Sequence, residues 1–331
     1  MGVGLRDMAV LAVLVLSAPL AASADGLSSF SFTTVGVANL DTALALWETE
    51  FGFEIAGRRD GPDAALARRW NISPNDIARQ AVVRTPDIDV GMLHLVEFFD
   101  PDPPVREGAL AYDLCPKNLD VYTDDLPQKI AALRERGRQF SNPDYSEVTA
   151  PNGMTFREIH MPSHDRVNVV LLQILGQSLP MSARGVSGIG MLITIVPDAE
   201  AEKAFYRDTI GLDLLSDNLL KGPEIEKMVG LPAGSALDVS IWGRADSEFG
   251  RIEIIEYQGV EGNDLYPRAK PKSLGILRVG YLTNDLQAIK RTLADQAIDF
   301  ESFEAAGTLV SDGAMLSFAS PAGMMIEVHQ K

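Results

Sequence analysis

The chain has 331 residues, enough for two ordinary domains, and its 46% hydrophobic and 23% charged content is that of a folded globular protein. The formal net charge is −17 with no basic stripe, which argues against nucleic acid as a partner. Cys115 is the only cysteine, so an internal disulfide is excluded; within AYDLCPKNL it reads as a buried strand residue.

In chain order, residues 1–24 read as a cleaved export signal. Arg6 lies in a short leading segment, the apolar run MAVLAVLVLSAPLAA follows, and Ala22-Ser23-Ala24 precedes Asp25 as a small-x-small cleavage site. The run is broken by Pro19 and is short for a membrane span. The mature protein is therefore expected in a periplasm or outside the cell, free of the membrane.

Residues 31–37 then read as a strand. Residues 41–50 read as a helix with Ala43, Leu46, Trp47 and Phe51 on one face, ended by Gly52. The segments GFEIAGR, RQAVVRT and VGMLHLVEFF read as three more strands, and DPDPPVREG as a loop. The order strand, helix, three strands returns with LDVYT, a helix over 126–136, and strands near SEVTA, MTFREIHM and VNVVLLQI. The Gly- and Ser-rich GQSLPMSARGVSG links the halves. GMLITIV, a helix over 199–209, LDLLS, ALDVSIWG and GRIEIIEY give the order a third time. ILRVGYLT, a helix over 286–296, AMLSFAS and MMIEVHQ give it a fourth. Two insertions in equivalent places, PDAALARRWNISPNDIA and GPEIEKMVGLPAGSA, read as a short helix plus a turn; loops at one end of a sheet often cover a ligand site.

The halves are copies. VANLDTALALWETEFGFE returns as VPDAEAEKAFYRDTIGLD, 159 residues on, which carries Gly52 onto Gly211 and LHLVEF onto IEIIEY. Four strand-helix-three-strand units whose helices read NLDTALALWETEFGFE, DDLPQKIAALRERG, DAEAEKAFYRDTIGLD and NDLQAIKRTLADQ resemble the vicinal oxygen chelate superfamily. That group includes glyoxalase I, the bleomycin-resistance proteins and the extradiol dioxygenases. The resemblance covers nearly all of the mature chain. It implies an α+β fold of four βαβββ modules, paired into two cupped, open-barrel domains related by internal duplication. The expected domains are 25–178 and 187–331, with a ligand in the cup.

The resemblance also implies where metal ligands stand: at the start of each unit's first strand and in its last strand. These positions are Phe32, Asn118, Met191 and Arg278, and His94, Asn168, Glu253 and Glu327. They lack the His or Gln plus Glu set that a transition metal wants, and the fixed charge of Arg278 repels a cation. No cofactor is therefore expected; a divalent metal, if held, falls to Glu253 and Glu327.

Instead, Arg278 is expected to bridge Glu253 and Glu327, either as a structural ion pair or as a substrate site in which one Glu moves a proton. Glu253, Glu327, Arg278 and His94 are the candidate catalytic residues; Asn118, Asn168, Met191 and Phe32 are the candidate substrate contacts. His160, His164 and His329 carry less information. Trp70 and Trp242 read as core residues or as an apolar wall.

Three classes stay open: a metal-independent small-molecule protein, acting as a binder or as an isomerase or lyase by Glu or His proton transfer; a glyoxalase- or dioxygenase-like metal enzyme with displaced ligands; and a non-catalytic interaction module. The resemblance allows a homodimer. The export reading makes one simple prediction: protein recovered from a periplasmic extract starts at Asp25 on N-terminal sequencing, and a chain starting at Met1 contradicts it.

Overall fold

A computed structural model describes residues 27–149, 153–304 and 307–331. The expected export signal lies outside these residues. Among them, no helix is long and apolar enough to cross a membrane.

The first unit comprises β1 (Phe32–Val37), α1 (Leu40–Leu44), β2 (Glu54–Asp60), β3 (Ile77–Arg84) and β4 (Met92–Phe98), with α2 (Ala64–Trp70) in its insertion. A short strand, β5 (Asp102–Pro104), follows in what reads as a loop. The second unit comprises β6 (Cys115–Thr123), α3 (Leu126–Glu135), β7 (Ser146–Thr149), β8 (Thr155–Pro162) and β9 (Asn168–Ile174). The third has β10 (Val186–Ile195), α4 (Ala199–Phe205), β11 (Asp213–Lys221), the inserted α5 (Pro223–Val229), β12 (Ala236–Gly243) and β13 (Arg251–Gln258). The fourth has β14 (Ser273–Thr283), α6 (Leu286–Asp295), β15 (Phe300–Phe303), β16 (Met315–Ala319) and β17 (Met325–Gln330). The sequence pattern missed β15, because ESF at its centre is polar and β15 is an edge strand with one neighbour.

Local chemistry starts each helix the same way. Asn39, Asp125, Asp198 and Asp285 accept hydrogen bonds from the backbone N–H groups of Thr42, Gln128, Ala201 and Ala288, at 2.8–3.0 Å. A second carboxylate or amide, from the unit's last strand, takes the next orphan donor: Glu97, Gln173, Glu256 and Gln330 accept from the N–H groups of Leu40, Leu126, Ala199 and Leu286. Each such cap stabilises by about 1 kcal/mol, and this second one also ties helix to sheet. In units one and three a π-helical turn, Ala45–Glu50 and Tyr206–Ile210, continues the helix; units two and four have plain α-helices of 10 residues. That alternation marks duplication of a two-unit half.

The strand pairing corrects the expectation that each half closes its own cup. One sheet runs β15-β16-β17-β14-β1-β4-β3-β2 and the other β11-β12-β13-β10-β6-β9-β8-β7. The first unit therefore pairs with the fourth, and the second with the third. The joints are antiparallel pairings of first strands, β1 with β14 and β6 with β10. Residues 25–178 and 187–331 each give one unit to each sheet. A hydrophobic core containing Val35, Trp47, Leu119, Leu192 and Val279 draws on both sheets and all four units, so burial favours this exchange as well as it would favour closure within a half.

Each joint seats an aromatic ring over a glycine. A Cβ on Gly280 would lie 2.2–2.6 Å from the ring of Phe32, its cross-strand partner, and one on Gly190 would lie 2.3–2.8 Å from Tyr122. Overpacking of a tight core costs about 1–3 kcal/mol. Gly280→Ala should lower the unfolding free energy measured in urea by that amount, with a lower midpoint, and adding Phe32→Leu should restore part of it. An unchanged midpoint for Gly280→Ala contradicts the contact.

Candidate functional site

The exchange of units redistributes the site positions. The β1–β14 cup receives Phe32, His94, Arg278 and Glu327; the β6–β10 cup receives Asn118, Asn168, Met191 and Glu253. Arg278 meets Glu327, as expected, with Nη1 donating to Oε1 at 3.1 Å. Glu253 stands in the other sheet, so the expected trio and a metal shared by Glu253 and Glu327 are both corrected.

The first cup is closed. Trp70, the last residue of α2, lays its ring 4.9 Å from the Arg278 guanidinium, and its Nε1 donates to Glu327 Oε1 at 3.1 Å. His329 Nε2 lies 3.3 Å from Glu327 Oε2, and Phe32 packs edge-on to His329 and to His94. Burial by itself would raise the Glu327 carboxyl. The hydrogen bonds from His329 and Trp70 and the charge of Arg278 outweigh it and hold the group well below its usual range. His94 Nε2 lies 2.9 Å from Gln80 Oε1, and Gln80 donates to Asp63 at 3.0 Å. This relay makes Nε2 the protonated nitrogen. Burial brings the imidazole down to about 4, so it is neutral at physiological pH. Arg278, Glu327, His94 and His329 are all at most 6% exposed. Phe32, Trp70 and the Arg278–Glu327 pair thus occupy the space where a ligand would sit.

The second cup is open. A cavity of about 310 Å³ is lined by Asn118, Met191 and Glu253 and walled by Phe156, Leu172, Ile193, Met228, Leu237 and Val239. Met228 comes from α5, the equivalent of α2, so the same insertion that plugs one cup forms a wall of the other. Lys117, Asp120, Glu158, His160, Arg251 and Tyr257 are among the polar residues of the lining. Asn168 donates through Nδ2 to Asn118 Oδ1 and to His160 Nδ1, both at 2.9 Å, which leaves Nε2–H of His160 to face Glu158 Oε1 at 3.3 Å. Asp120 is 5% exposed and its Oδ1 has no hydrogen-bond partner. Burial first, and then the charges of Glu253 and Glu158, push the Asp120 carboxyl well up. Burial and Glu158 push Glu253 up to about 8, with Lys117 opposing. Lys117 Nζ donates to Tyr257 Oη at 2.9 Å, and burial brings its amine down to about 7.

In strand register the four first-strand positions are equivalent to one another, and one of the last-strand positions is not. Thr34 pairs with His94, Ile193 with Glu253 and Gly280 with Glu327; the matching partner of Asp120 is Val170, two residues beyond Asn168. The helix-capping residue stands three places after His94, Glu253 and Glu327, as Gln173 does after Val170. That spacing was the signal the sequence offered. Val170 lines the cavity, while Asn168 lies in the hydrogen-bond chain behind it. Lys117, Asp120, Tyr257 and His160 were also missed. KNLDVYT alternates polar and apolar residues, a pattern shared by a solvent-facing strand and a cavity-facing one.

The donor sets do not fit a metal. In the open cup the family's ligand positions hold Asn118, Val170, Met191 and Glu253, and the Asn118 amide oxygen is already engaged. In the closed cup a guanidinium takes the cation's place. Among the described residues no three His, Cys, Asp or Glu side chains converge as a metal-holding group.

No family model matches the chain, and no curated protein does. Solved structures do. Glyoxalase I from Zea mays aligns with a TM-score of 0.62 at 16% identity, covering 92% of this chain and 93% of that one. A putative dioxygenase from Bacillus subtilis subsp. subtilis str. 168 aligns at 0.61 and 9% identity, covering 93% and 86%. The fold is that of the vicinal oxygen chelate superfamily.

The closed cup yields a stability prediction. Removing one member of a buried ion pair costs about 3–5 kcal/mol, because the other charge is left alone. Arg278→Met should cost that much, and Arg278→Met with Glu327→Leu should be closer to the natural protein. Because the folded-state Glu327 carboxyl sits below its ordinary 4.5, its contribution is complete above that pH and is lost as pH falls further. Acid titration of the double variant should lack this component; identical acid sensitivity in both proteins contradicts the pair's role.

Proposed function

On this fold, we propose that the chain binds a small, largely apolar molecule in the β6–β10 cup and acts on it, if it does so chemically, by proton transfer from its own side chains. The observation that carries the reading is the contrast between the cups. One is packed shut around a satisfied ion pair, and the other keeps a cavity of about 310 Å³ with apolar walls and a few polar groups. That is the usual composition of a small-molecule site, in which apolar surface supplies affinity and sparse polar groups supply orientation.

An enzyme reading has one specific observation in its favour. With a carboxyl at about 8 and an amine at about 7, Glu253 and Lys117 both exchange protons near neutral pH, where general acid–base catalysis works best. An isomerase or lyase of this kind needs no metal, in keeping with the donor chemistry of the cup. The apolar segment ahead of Asp25 supports placing this activity in a periplasm or outside the cell.

A neutral fluorescent probe, N-phenylnaphthylamine, tests the cavity. It should brighten on binding the natural protein. Val239→Trp, which fills the cavity from β12, should weaken binding by about tenfold or more, a loss of about 1.4 kcal/mol. Phe318→Leu, in the shared core, should leave it unchanged. Equal binding by the Val239 variant overturns the proposal.

A further inference from the structure

We propose that Lys117 is a nucleophile that captures an aldehyde or ketone in this cavity as an imine, an inference that rests on the cavity reading above. The protein buries two lysines and treats them in opposite ways. Lys203 lies 2.8, 3.1 and 3.3 Å from Asp238, Asp217 and Glu200, which together push its amine up and fix it as a cation. Lys117 is 5% exposed, lines the cavity, and has the Tyr257 hydroxyl at 2.9 Å as its hydrogen-bond partner, with no ion pair among the described residues. A buried amine without a carboxylate partner sheds its proton to avoid the cost of an unpaired charge.

The groups facing it are Arg106, Cys115, Asp120, Glu158, Glu253 and Tyr257. Arg106 adds to the effect of burial, and Glu158 and Glu253 oppose it. The resulting value of about 7 leaves a substantial share of free amine at neutral pH. A neutral amine is the form that attacks a carbonyl.

The surroundings supply the rest of the step. The nitrogen lone pair forms the C–N bond as the carbonyl π pair moves onto oxygen. Glu253, a carboxylic acid near neutrality, gives a proton to that oxygen and takes one from nitrogen. In the second stage it protonates the departing hydroxyl, the C–O bond breaks, and the nitrogen lone pair completes C=N as a proton returns to Glu253. One amine and one carbonyl give one imine and one water, with Glu253 restored. Asp120, whose Oδ1 has no partner and whose carboxyl is also pushed up, stands in the same cavity as a hydrogen-bond group for the carbonyl compound. The apolar walls favour a substrate with a hydrocarbon body.

The test uses the full chain with hexanal and sodium cyanoborohydride, whose hydride reduces an imine to a stable secondary amine. Peptide mass mapping should place one hexyl group on Lys117 ahead of the exposed Lys221, Lys270 and Lys331, with labelling half-maximal near pH 7. Lys117→Met should remove that label alone. Alkylation of the exposed lysines with Lys117 unmodified overturns the inference. Displacement of N-phenylnaphthylamine by hexanol then separates the two readings: if hexanol displaces the probe while Lys117 stays unlabelled, the imine is wrong and the cavity reading stands; if hexanol fails as well, the cavity reading falls with it.

Discussion

The antiparallel pairing of first strands, β1 with β14 and β6 with β10, is the constraint on which the rest of the molecule depends. Each first strand sits at the centre of its sheet and has its own unit's last strand on the other side. The pairing therefore decides which four site positions converge. Had the chain joined its units in sequence order, His94 would share a cup with Asn118 and Arg278 with Glu253. Joined crosswise, His94 sits with the Arg278–Glu327 pair, and Glu253 sits with Asn118 and Asp120. The same strand registers give two unlike chemical environments.

Those environments show two outcomes for charge inside a protein. In the closed cup Arg278 and Glu327 each have partners of fitting shape. The guanidinium has a carboxylate and an indole face, and the carboxylate has Arg278, Trp70 and His329. Satisfaction of this kind makes a core rigid and leaves it chemically quiet. In the open cup Asp120, Glu253 and Lys117 have no such partners, so burial drives each toward its neutral form. Groups held near the point of exchanging protons are the ones chemistry can use. The two inserted helices set this division: α2 ends in Trp70, large enough to fill a cup, while α5 presents Met228 and Val229 to a space it leaves open.

Much of the fold was legible because its signals are local. Helices carry an apolar face, strands alternate or run apolar, and the pattern recurs 159 residues on. The positions Phe32, Asn118, Met191 and Arg278 followed from counting back from each helix, and they stand at equivalent places in the two joints. Asn168 failed because unit two carries a different spacing after its last helix, and only the Gln173 cap fixes the register there. His329 stands next to the C-terminus in sequence, yet it is fully buried against Glu327 because β17 is flanked on both sides by strands.

The sequence by itself determined the four units, the duplication and the departure from a metal-binding residue set. The units are a matter of which residues lie within one turn or one strand of each other, and the duplication of the same local pattern returning 159 residues on. Only the tertiary structure decided that units one and four, and units two and three, share sheets, that one cup is filled and the other open, and that Lys117 has no ion-pair partner among the described residues. These depend on contacts between residues more than sixty positions apart across β6 and β10, and more than two hundred across β1 and β14. Pairing within a half and pairing across halves satisfy the same local pattern, and only the long-range pairing of first strands, β1 with β14 and β6 with β10, tells them apart.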